Sequence, residues 1–436
     1  MKMNEYSSAL LHERYYRMEH TSGLPVYVFP KQLTTAYALF AVRYGSMDSA
    51  FYSPEGDAVC VPDGIAHFLE HKLFENEDGS DSFAHFAALG ADSNAYTSYD
   101  RTAYLFSTAE DFDGSLEELL RFVTHPHFTK ASVKKEQGII AEEIRMYEDS
   151  PWERCFRILL ESLYQSCPVR VNICGSEESI VRITPKLLYD CYHTFYNPAN
   201  MILAVCGNVS PEQVMEIVDR TLPDSFLPKD VRRAEFEEPP YAIRAYAEEH
   251  MQVAKPIFNI GIKDPVVEVD AEARMRRDFC MALLDEILFS RAGEFYNDLF
   301  ERGVITPSFG FGYSCSDRFA FHCLSGESDT PEAVLEALKG YIARVRREGI
   351  ADEVFERCRR VMYADEICAY DSSEEIANRL LSFAMDGVDM FACPSLLQSI
   401  TKDELEALLA TAFDDACFSM AVILPSEQQN KETKGE

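Results

Sequence analysis

The sequence predicts a mixed α and β fold in which two similar domains follow each other, each a sheet covered by helices. Short apolar segments with strand-like character alternate with segments of helical period. Residues 183–207 and 400–424 align without a gap at an offset of 217 residues, with seven identities in twenty-five positions. A chain of 436 residues is also longer than one hydrophobic core usually organises.

The individual elements follow from the local pattern of apolar residues. Alternating apolar stretches predict strands at 25–29 and 36–44, and further strands are expected between the helices at 93–98, 102–108 and 201–206. Apolar residues spaced three and four apart predict helices at 64–75, 82–89, 132–147, 179–195, 211–221, 272–289, 331–348 and 352–385. Asp63 is the predicted N-cap of the first of these helices, and Gly90 ends the second.

The two domains are predicted to join where charged residues and Pro239-Pro240 interrupt any periodicity. We therefore expect a first, metal-binding domain at residues 1–232, a linker at 233–243 and a second, degenerate repeat domain at 244–425. The tail at 426–436 is almost entirely polar and is expected to be disordered.

Charge and composition exclude several classes of function. The 41 basic and 73 acidic residues give a net charge of −32, which would repel nucleic acid and anionic lipid. The first thirty residues lack a continuous apolar signal segment, and no apolar stretch is long enough to span a membrane. Thirteen cysteines without a C-x-x-C pair do not suit a disulfide framework. These features predict a cytoplasmic protein with reduced, mostly buried thiols.

Two histidines four residues apart give the first indication of chemistry. His67 and His71 lie on one face of the predicted helix, so both imidazoles can reach one Zn²⁺ ion. Glu70 lies beside them, where it could take a proton from a water molecule at the metal. The order H-x-x-E-H is the inverted zinc-protease motif.

Two histidines leave the metal short of a ligand, and the predicted helix at 132–147 supplies three candidates. Glu136 and Glu143 are seven residues apart and share one helical face, whereas Glu142 is rotated away from that face. Any of these carboxylates is chemically able to complete a zinc site.

The sequence HFLEH, followed about seventy residues later by GIIAEEIRMYEDSP, resembles the pitrilysin/insulinase family of zinc metallopeptidases. The resemblance extends to GADSNAY at 90–96, GSEESI at 175–180 and YNPANM at 196–201. In size and layout the chain is most similar to short bacterial members, which resemble subunits of the mitochondrial processing peptidase. The resemblance implies two α+β domains with mixed or antiparallel sheets, and two such chains enclosing a chamber.

The resemblance also implies roles for individual residues. His67 and His71 correspond to zinc ligands, Glu70 to the general base, Glu143 to the third ligand and Glu136 to a supporting acidic residue.

A substrate-binding strand follows from the same comparison. Asn94 and Ala95 resemble the start of the family's edge strand, where a peptide substrate adds to the sheet. The residues themselves indicate only a strand after a turn, in which Asn94 could equally cap the turn.

The second half departs from the family pattern. Many active relatives carry an arginine and a tyrosine, in a Leu-Arg-x-x-Gly-x-x-Tyr segment, that hold substrate and oxyanion. Here Phe300 and Thr306 stand at those two positions, although Arg302 or Tyr313 could substitute from nearby. The offset of 217 also places Leu284 and Leu288, which cannot bind metal, opposite the two motif histidines.

These observations predict a zinc-dependent endopeptidase that hydrolyses unfolded peptides or short protein segments inside a two-domain chamber. The missing arginine and tyrosine predict a dimer, either a heterodimer with a homologous chain that supplies them or a homodimer. The acidic charge favours neutral or basic substrates. The alternatives are a non-enzymatic peptide-binding or assembly subunit and a maturation protease dedicated to one substrate.

Overall fold

The structure is a computed structural model that describes residues 2–53 and 56–426. The described residues form two compact units, each assembled from three segments of the chain. The first unit comprises Met1–Ile144, Val171–Glu235 and Glu366–Cys393, and the second comprises Arg145–Arg170, Phe236–Asp365 and Pro394–Glu436. The predicted domain ranges run consecutively, whereas these units exchange segments, and the predicted tail lies outside the described residues from 427 onward.

The first unit contains a mixed sheet of seven strands. They are β1 (Met3–Ser8), β2 (Glu13–Glu19), β3 (Pro25–Pro30), β4 (Ala36–Val42), β7 (Ala91–Thr97), β8 (Thr102–Thr108) and β9 (Met201–Gly207). Their order across the sheet is β1-β2-β3-β9-β4-β8-β7, so β7 is an edge strand. Strands β3 and β9 pair in parallel and the other neighbours are antiparallel. A separate three-stranded sheet contains β5 (Ala50–Tyr52), β6 (Ala58–Cys60) and β10 (Arg232–Arg233).

The second unit contains a sheet of five strands with the same pattern. They are β11 (Tyr246–Met251), β12 (Ile257–Lys263), β13 (Gly310–Cys315), β14 (Ala320–Glu327) and β15 (Phe418–Pro425), in the order β11-β15-β12-β14-β13. The first pair is parallel and the remaining pairs are antiparallel, as in β3-β9-β4-β8-β7. Strands β9 and β15 start 217 residues apart, which is the offset found in the sequence. The predicted α+β fold of two similar halves is therefore confirmed.

Helices connect many of the strands and pack on both sheets. The first half contains α1 (Ile65–Leu73), α2 (Ser82–Ala88), α3 (Phe112–Thr124), α4 (Lys130–Glu148), α5 (Pro151–Leu163), α6 (Glu177–Ile180), α7 (Pro185–Phe195) and α8 (Pro211–Thr221). The second half contains α9 (Ala271–Phe289), α10 (Glu294–Glu301), α11 (Pro331–Glu348), α12 (Asp352–Cys368), α13 (Ser373–Asp386), α14 (Cys393–Ser399) and α15 (Lys402–Thr411).

Two helices cover the sheet of the opposite half of the sequence. Helix α5 packs on β12 and β15 in the second unit, where the Cys155 thiol donates to the carbonyl oxygen of Ala421 at 3.4 Å. Helix α13 packs on β4 and β9 in the first unit, where Leu380 and Leu381 join the core around Leu39. This reciprocal exchange explains why each compact unit draws on both halves of the chain.

Two segments predicted as single helices each form two separate helices in the structure. The segment 179–195 ends one helix at Ile180 and begins another at Pro185, since a residue before proline is pushed into extended geometry. Thr184 is extended and its side chain accepts from the Leu187 backbone N–H as the new N-cap. In the segment 352–385 one helix ends at Cys368 and another begins at Ser373, where the Ser372 side chain accepts from the Glu375 backbone N–H as the N-cap.

The predicted cap of the motif helix is also wrong. Gly64, not Asp63, is the N-cap of α1, and it has a left-handed φ of 88° without a side-chain cap. A Cβ at this position would lie 2.3 Å from the carbonyl oxygen of Cys174, so only glycine allows the two backbones to approach. The close packing at the start of α1 therefore replaces the expected capping side chain.

The second unit lacks ligand residues at the positions opposite the motif histidines. Leu284 and Leu288 lie on α9, before β13, as α1 lies before β7. Both side chains are fully buried in the apolar core with Ile260 and Leu324. This half therefore keeps the repeat topology and uses the helix for packing.

The burial of the cysteines agrees with the expectation from the sequence, since nine of the thirteen are buried. Within the described residues, no single helix is long and apolar enough to span a membrane. The helical segments Ser373–Asp386 and Met390–Ser399 reach that length and hydropathy only when taken together, and they are bent by 103° relative to each other.

Candidate metal centre

Helix α1 brings the two motif histidines together. One helical turn separates His67 from His71, and their Nε2 atoms lie 3.2 Å apart. His67 is only 7% exposed, whereas His71 borders a cavity. The two nitrogens therefore point toward a shared position on one face of α1.

Helix α4 adds a carboxylate to this pair. Glu143 Oε1 lies 3.6 Å from His67 Nε2, and Glu143 Oε2 lies 3.5 Å from His71 Nε2. Glu142, the next residue back, is exposed. Of the three glutamates considered from the sequence, Glu143 is the one whose carboxylate contacts both histidine Nε2 atoms.

The separations among these atoms fit a tetrahedral zinc ion. Nitrogen and oxygen ligands about 2.0–2.1 Å from Zn²⁺ lie about 3.3 Å apart at tetrahedral angles. The two Nε2 atoms are 3.2 Å apart, and each is 3.5–3.6 Å from a different oxygen of the Glu143 carboxylate. Two imidazoles and one carboxylate are also a donor set that catalytic zinc uses, with a fourth position left for solvent or substrate.

Glu136 lies on the outer side of His71. Its Oε1 is 3.1 Å from His71 Nδ1, the ring nitrogen that does not approach Glu143. Its other oxygen lies 3.9 Å from the ammonium of Lys72, which is 1% exposed and also pairs with Glu75. Glu136 thus links a candidate ligand to a buried cation and fixes the orientation of the imidazole.

Burial and neighbouring charges set different pKa values for the two histidines. Burial, together with the nearby His71, lowers the pKa of His67 to about 3. Burial also acts to lower the pKa of His71, but the hydrogen bond to Glu136 and the surrounding carboxylates outweigh it and raise that pKa. His67 is therefore a neutral imidazole at physiological pH, which is the form that binds metals.

Glu70 is buried beside the histidines and held by a hydroxyl. The Thr97 Oγ1 atom, on edge strand β7, donates to Glu70 Oε2 at 2.6 Å. Burial raises the pKa of Glu70, against the lowering effects of the Thr97 hydrogen bond and of His71. A carboxylate with a raised pKa is a better proton acceptor near neutral pH.

Asn94 and Ala95 lie within strand β7 rather than in a turn. The Asn94 side-chain oxygen accepts a hydrogen bond of 2.9 Å from the backbone N–H of Ala95. Both residues border a cavity of about 470 Å³ that also contacts Glu70, His71 and Glu136. The open edge of the sheet and the candidate metal position therefore face the same space.

Two contacts were not foreseen from the sequence. The first is the Thr97 hydroxyl on Glu70, which the period of the strand could have suggested once the edge strand was known. The second is the Cys174 thiol, whose Sγ lies 3.9 Å from His67 Nε2. Burial, with the charges of Glu143 and Glu70, raises the pKa of this thiol to about 12. No spacing pattern in the sequence connects Cys174 to the motif.

In the second unit, the residues near the missing arginine and tyrosine already have local partners. Phe300 is 43% exposed and stacks on Tyr296, while Arg302 pairs with Asp298 at 2.6 Å. The Tyr313 hydroxyl donates to Asp264 Oδ2 at 2.8 Å.

Comparison with known proteins identifies the family. Residues 61–177 match the insulinase family (peptidase family M16), and residues 182–362 match the peptidase M16 inactive domain. An uncharacterized zinc protease of Bacillus subtilis (strain 168), YmfH, is 37% identical over 92% of this chain and 94% of its own length. The chain therefore belongs to the insulinase family of peptidases, as the sequence motifs indicated.

Two further relatives support this assignment. One of them is a crystal structure described as that of an M16-like peptidase from Alicyclobacillus acidocaldarius, which superimposes on this chain with a TM-score of 0.92. It is 32% identical, over 96% of this chain and 100% of that one. The mitochondrial-processing peptidase subunit beta of Bos taurus is 30% identical over 35% of this chain and 32% of its own length. The relatives named zinc proteases support a peptidase-type function and Zn²⁺ as the metal.

Proposed function

We propose that this protein is a zinc-dependent endopeptidase that hydrolyses unfolded peptides or short protein segments. The observation that carries the proposal is the convergence of His67, His71 and Glu143 within 3.2–3.6 Å of one another, beside a buried Glu70. A metal position next to a buried carboxylate is the arrangement that peptide hydrolysis needs, because water must be both activated and relieved of a proton.

The metal would be held by His67 Nε2, His71 Nε2 and the Glu143 carboxylate, with Glu136 orienting His71 from behind. When bound, zinc supplies Lewis acidity that polarises the scissile carbonyl and makes a nearby water more acidic. The separation of Glu136 from the shared Nε2 position supports a positioning role for this residue rather than a role as ligand.

Glu70 is the proposed general base. It accepts a proton from the attacking water and later donates it to the nitrogen of the leaving amine, so the carboxylate is regenerated in each cycle. The Thr97 hydroxyl keeps one carboxylate oxygen fixed, which leaves the other to receive the proton. The hydrogen bond from Thr97 thus orients Glu70 for proton transfer.

Strand β7 is the proposed binding edge for the peptide. The substrate adds to this edge as an antiparallel or parallel strand, and its backbone carbonyl replaces the Asn94 oxygen on the Ala95 N–H. Hydrogen bonds between the β7 backbone and the substrate backbone can form with peptides of many sequences, but the peptide must be extended. This requirement explains why unfolded peptides and short segments, rather than folded domains, are the proposed substrates.

The protein is proposed to act as the metal-bearing subunit of a dimer. Phe300 and Thr306 cannot supply the charged and phenolic donors found in many active relatives. Tyr313 donates to Asp264, which a bidentate Arg277 also holds, whereas Arg302 forms only an exposed ion pair with Asp298. The engagement of Tyr313 favours a homologous partner chain as the source of the missing donors over a homodimer, and Arg302 is the residue of this chain left to test.

Metal removal tests the proposed function directly. We expect an unstructured peptide to be cleaved by the zinc-loaded protein with its partner present, to be spared after chelation, and to be cleaved again after zinc is restored. Cleavage that survives complete loss of zinc, checked by elemental analysis, would contradict the proposal. A protein that holds no zinc when purified with zinc available would favour a non-enzymatic, peptide-binding or assembly role.

A further inference from the structure

A buried thiol lies beside the candidate zinc ligands. Cys174 is 5% exposed, and its Sγ lies 3.9 Å from His67 Nε2. His67, Glu143 and Cys174 each offer one ligand atom, and these atoms all lie within 4.8 Å of one another. The thiol is therefore in the same cluster of donors as two of the proposed zinc ligands.

The loop that carries Cys174 is locked against the start of the motif helix by two glycines. A Cβ on Gly64 would lie 2.3 Å from the Cys174 carbonyl oxygen, and a Cβ on Gly175 would lie 2.4 Å from the carbonyl oxygen of Asp63. Both glycines have positive φ, of 88° and 76°. The Ser179 hydroxyl also donates to Asp63 at 2.8 Å. The backbone that carries Cys174 is thus held close to the start of α1.

The distances are close to those of a thiolate-bearing zinc site. A sulfur about 2.3 Å and a nitrogen about 2.0 Å from one Zn²⁺ lie about 3.5 Å apart at tetrahedral angles. The Sγ to Nε2 distance of 3.9 Å is about 0.4 Å longer than this tetrahedral value. Cys174 shares its donor cluster with His67 and Glu143. If these three residues and His71 all bound one zinc ion, the metal would have four protein ligands, and closed four-ligand sets are typical of chemically inert zinc.

We propose that Cys174 is a built-in fourth zinc ligand that closes the metal centre in a resting form of the enzyme. This inference rests on the proposed zinc site. With zinc bound, Cys174 would take the fourth ligand position in place of water and release its thiol proton to solvent, because a coordinating thiol is deprotonated by the metal charge. Cys174 would have to leave that position, and be reprotonated from solvent, before a peptide could be hydrolysed.

Cobalt substitution tests the proposal without relying on catalysis. The full-length protein is loaded with Co²⁺, and its absorption spectrum is compared with the spectra of Cys174→Ser, Cys174→Ala and the exposed control Cys60→Ser. Thiolate ligation gives an intense near-ultraviolet charge-transfer band, whereas histidine and carboxylate ligation gives only the weaker visible bands. We expect the charge-transfer band in the wild type and in Cys60→Ser and its loss in both Cys174 variants. We also expect higher turnover per bound metal in those variants.

The possible results separate this inference from the proposed function. A wild-type spectrum with visible bands but no charge-transfer band would overturn the role of Cys174 and leave the His67, His71 and Glu143 site intact. A charge-transfer band that persists in a folded Cys174 variant would also overturn it. Failure of the wild type to bind Co²⁺ at all would overturn both. Because the wild-type spectrum alone can reject the proposal, the test survives even if a variant does not fold.

Discussion

The carboxylate of Glu136 lies 3.1 Å from Nδ1 of His71, on the side of the ring opposite to Glu143. This contact fixes both the tautomer and the orientation of the imidazole, so that Nε2 is left free to bind a metal. The second oxygen of Glu136 faces the buried ammonium of Lys72 at 3.9 Å. The acidic residue is therefore anchored from both sides, which makes it a positioning group in the proposed zinc site.

We predict that Glu136→Gln weakens zinc binding by about tenfold to a hundredfold, because loss of an outer-shell carboxylate lowers ligand basicity and loosens the ring. Competition with a chelator of known affinity measures this change. The matched control is Glu142→Gln, an exposed position on the same helix, which should bind zinc as the wild type does. Equal affinity in Glu136→Gln and the control would reject the positioning role.

We predict that Thr97→Val moves the acidic limb of the pH profile of kcat/KM to higher pH. The hydroxyl of Thr97 stabilises the ionised form of Glu70, so its removal raises a pKa that burial has already raised. Glu70 accepts the proton only when ionised, and activity must therefore fall at a higher pH as the medium is acidified. Thr97→Ser, which keeps the hydroxyl, should retain the wild-type profile. An unchanged acidic limb in Thr97→Val would show that this hydrogen bond does not affect the pKa of Glu70.

The repeat and the motif were predictable from the sequence because both depend on local spacing. The 217-residue offset gave equivalent N-caps, Thr184 and Thr401, at the starts of α7 and α15. The packing of α5 and α13 on the sheet of the opposite half of the sequence was not predictable, because a helical pattern does not encode which of two similar apolar sheets the helix covers. The proximity of Cys174 to His67 likewise depends on a loop packing 107 residues away in the chain.

The prediction of local structure was also wrong at two places, where the backbone conformation differs from the one that the residue types favour. Asp63 has the side chain of a good N-cap, but the approach of the Cys174 backbone requires glycine at the next position and a left-handed start to α1. The long helix predicted for 352–385 is interrupted by a single turn of 3-10 helix at Ala369–Asp371. The first departure arises from a tertiary contact that a sequence window cannot represent, whereas the second coincides with a local N-cap, Ser372.

We predict that the isolated, zinc-loaded chain is a poor peptidase and that a homologous partner carrying the arginine and tyrosine raises its turnover by about a hundredfold to a thousandfold. Donors to the developing oxyanion typically contribute a factor of this size. Turnover is measured for the wild type and for Arg302→Ala, each with and without the co-expressed partner. Robust activity of the isolated chain that collapses in Arg302→Ala would instead support a homodimer that has recruited Arg302.

We predict that peptides rich in lysine and arginine are cleaved faster than matched peptides rich in aspartate and glutamate. The cavity beside the metal position is lined by four acidic residues and one lysine, namely Glu70, Glu75, Asp81, Glu136 and Lys135. The preference should shrink as salt is raised, because screening shortens the Debye length from about 10 Å at 0.1 M to about 3 Å at 1 M. Equal cleavage rates at low salt would show that these carboxylates do not select the substrate.

The most direct test of the central claim is the turnover and zinc content of Glu70→Gln, measured with the partner present. Glutamine has nearly the same shape as glutamate but cannot accept the proton, so we predict about a hundredfold to ten-thousandfold loss of kcat with stoichiometric zinc retained. Glu142→Gln serves as the control and should keep both zinc and activity. Wild-type turnover in a zinc-loaded Glu70→Gln protein would contradict the assignment of Glu70 as the base and, with it, the proposed mechanism.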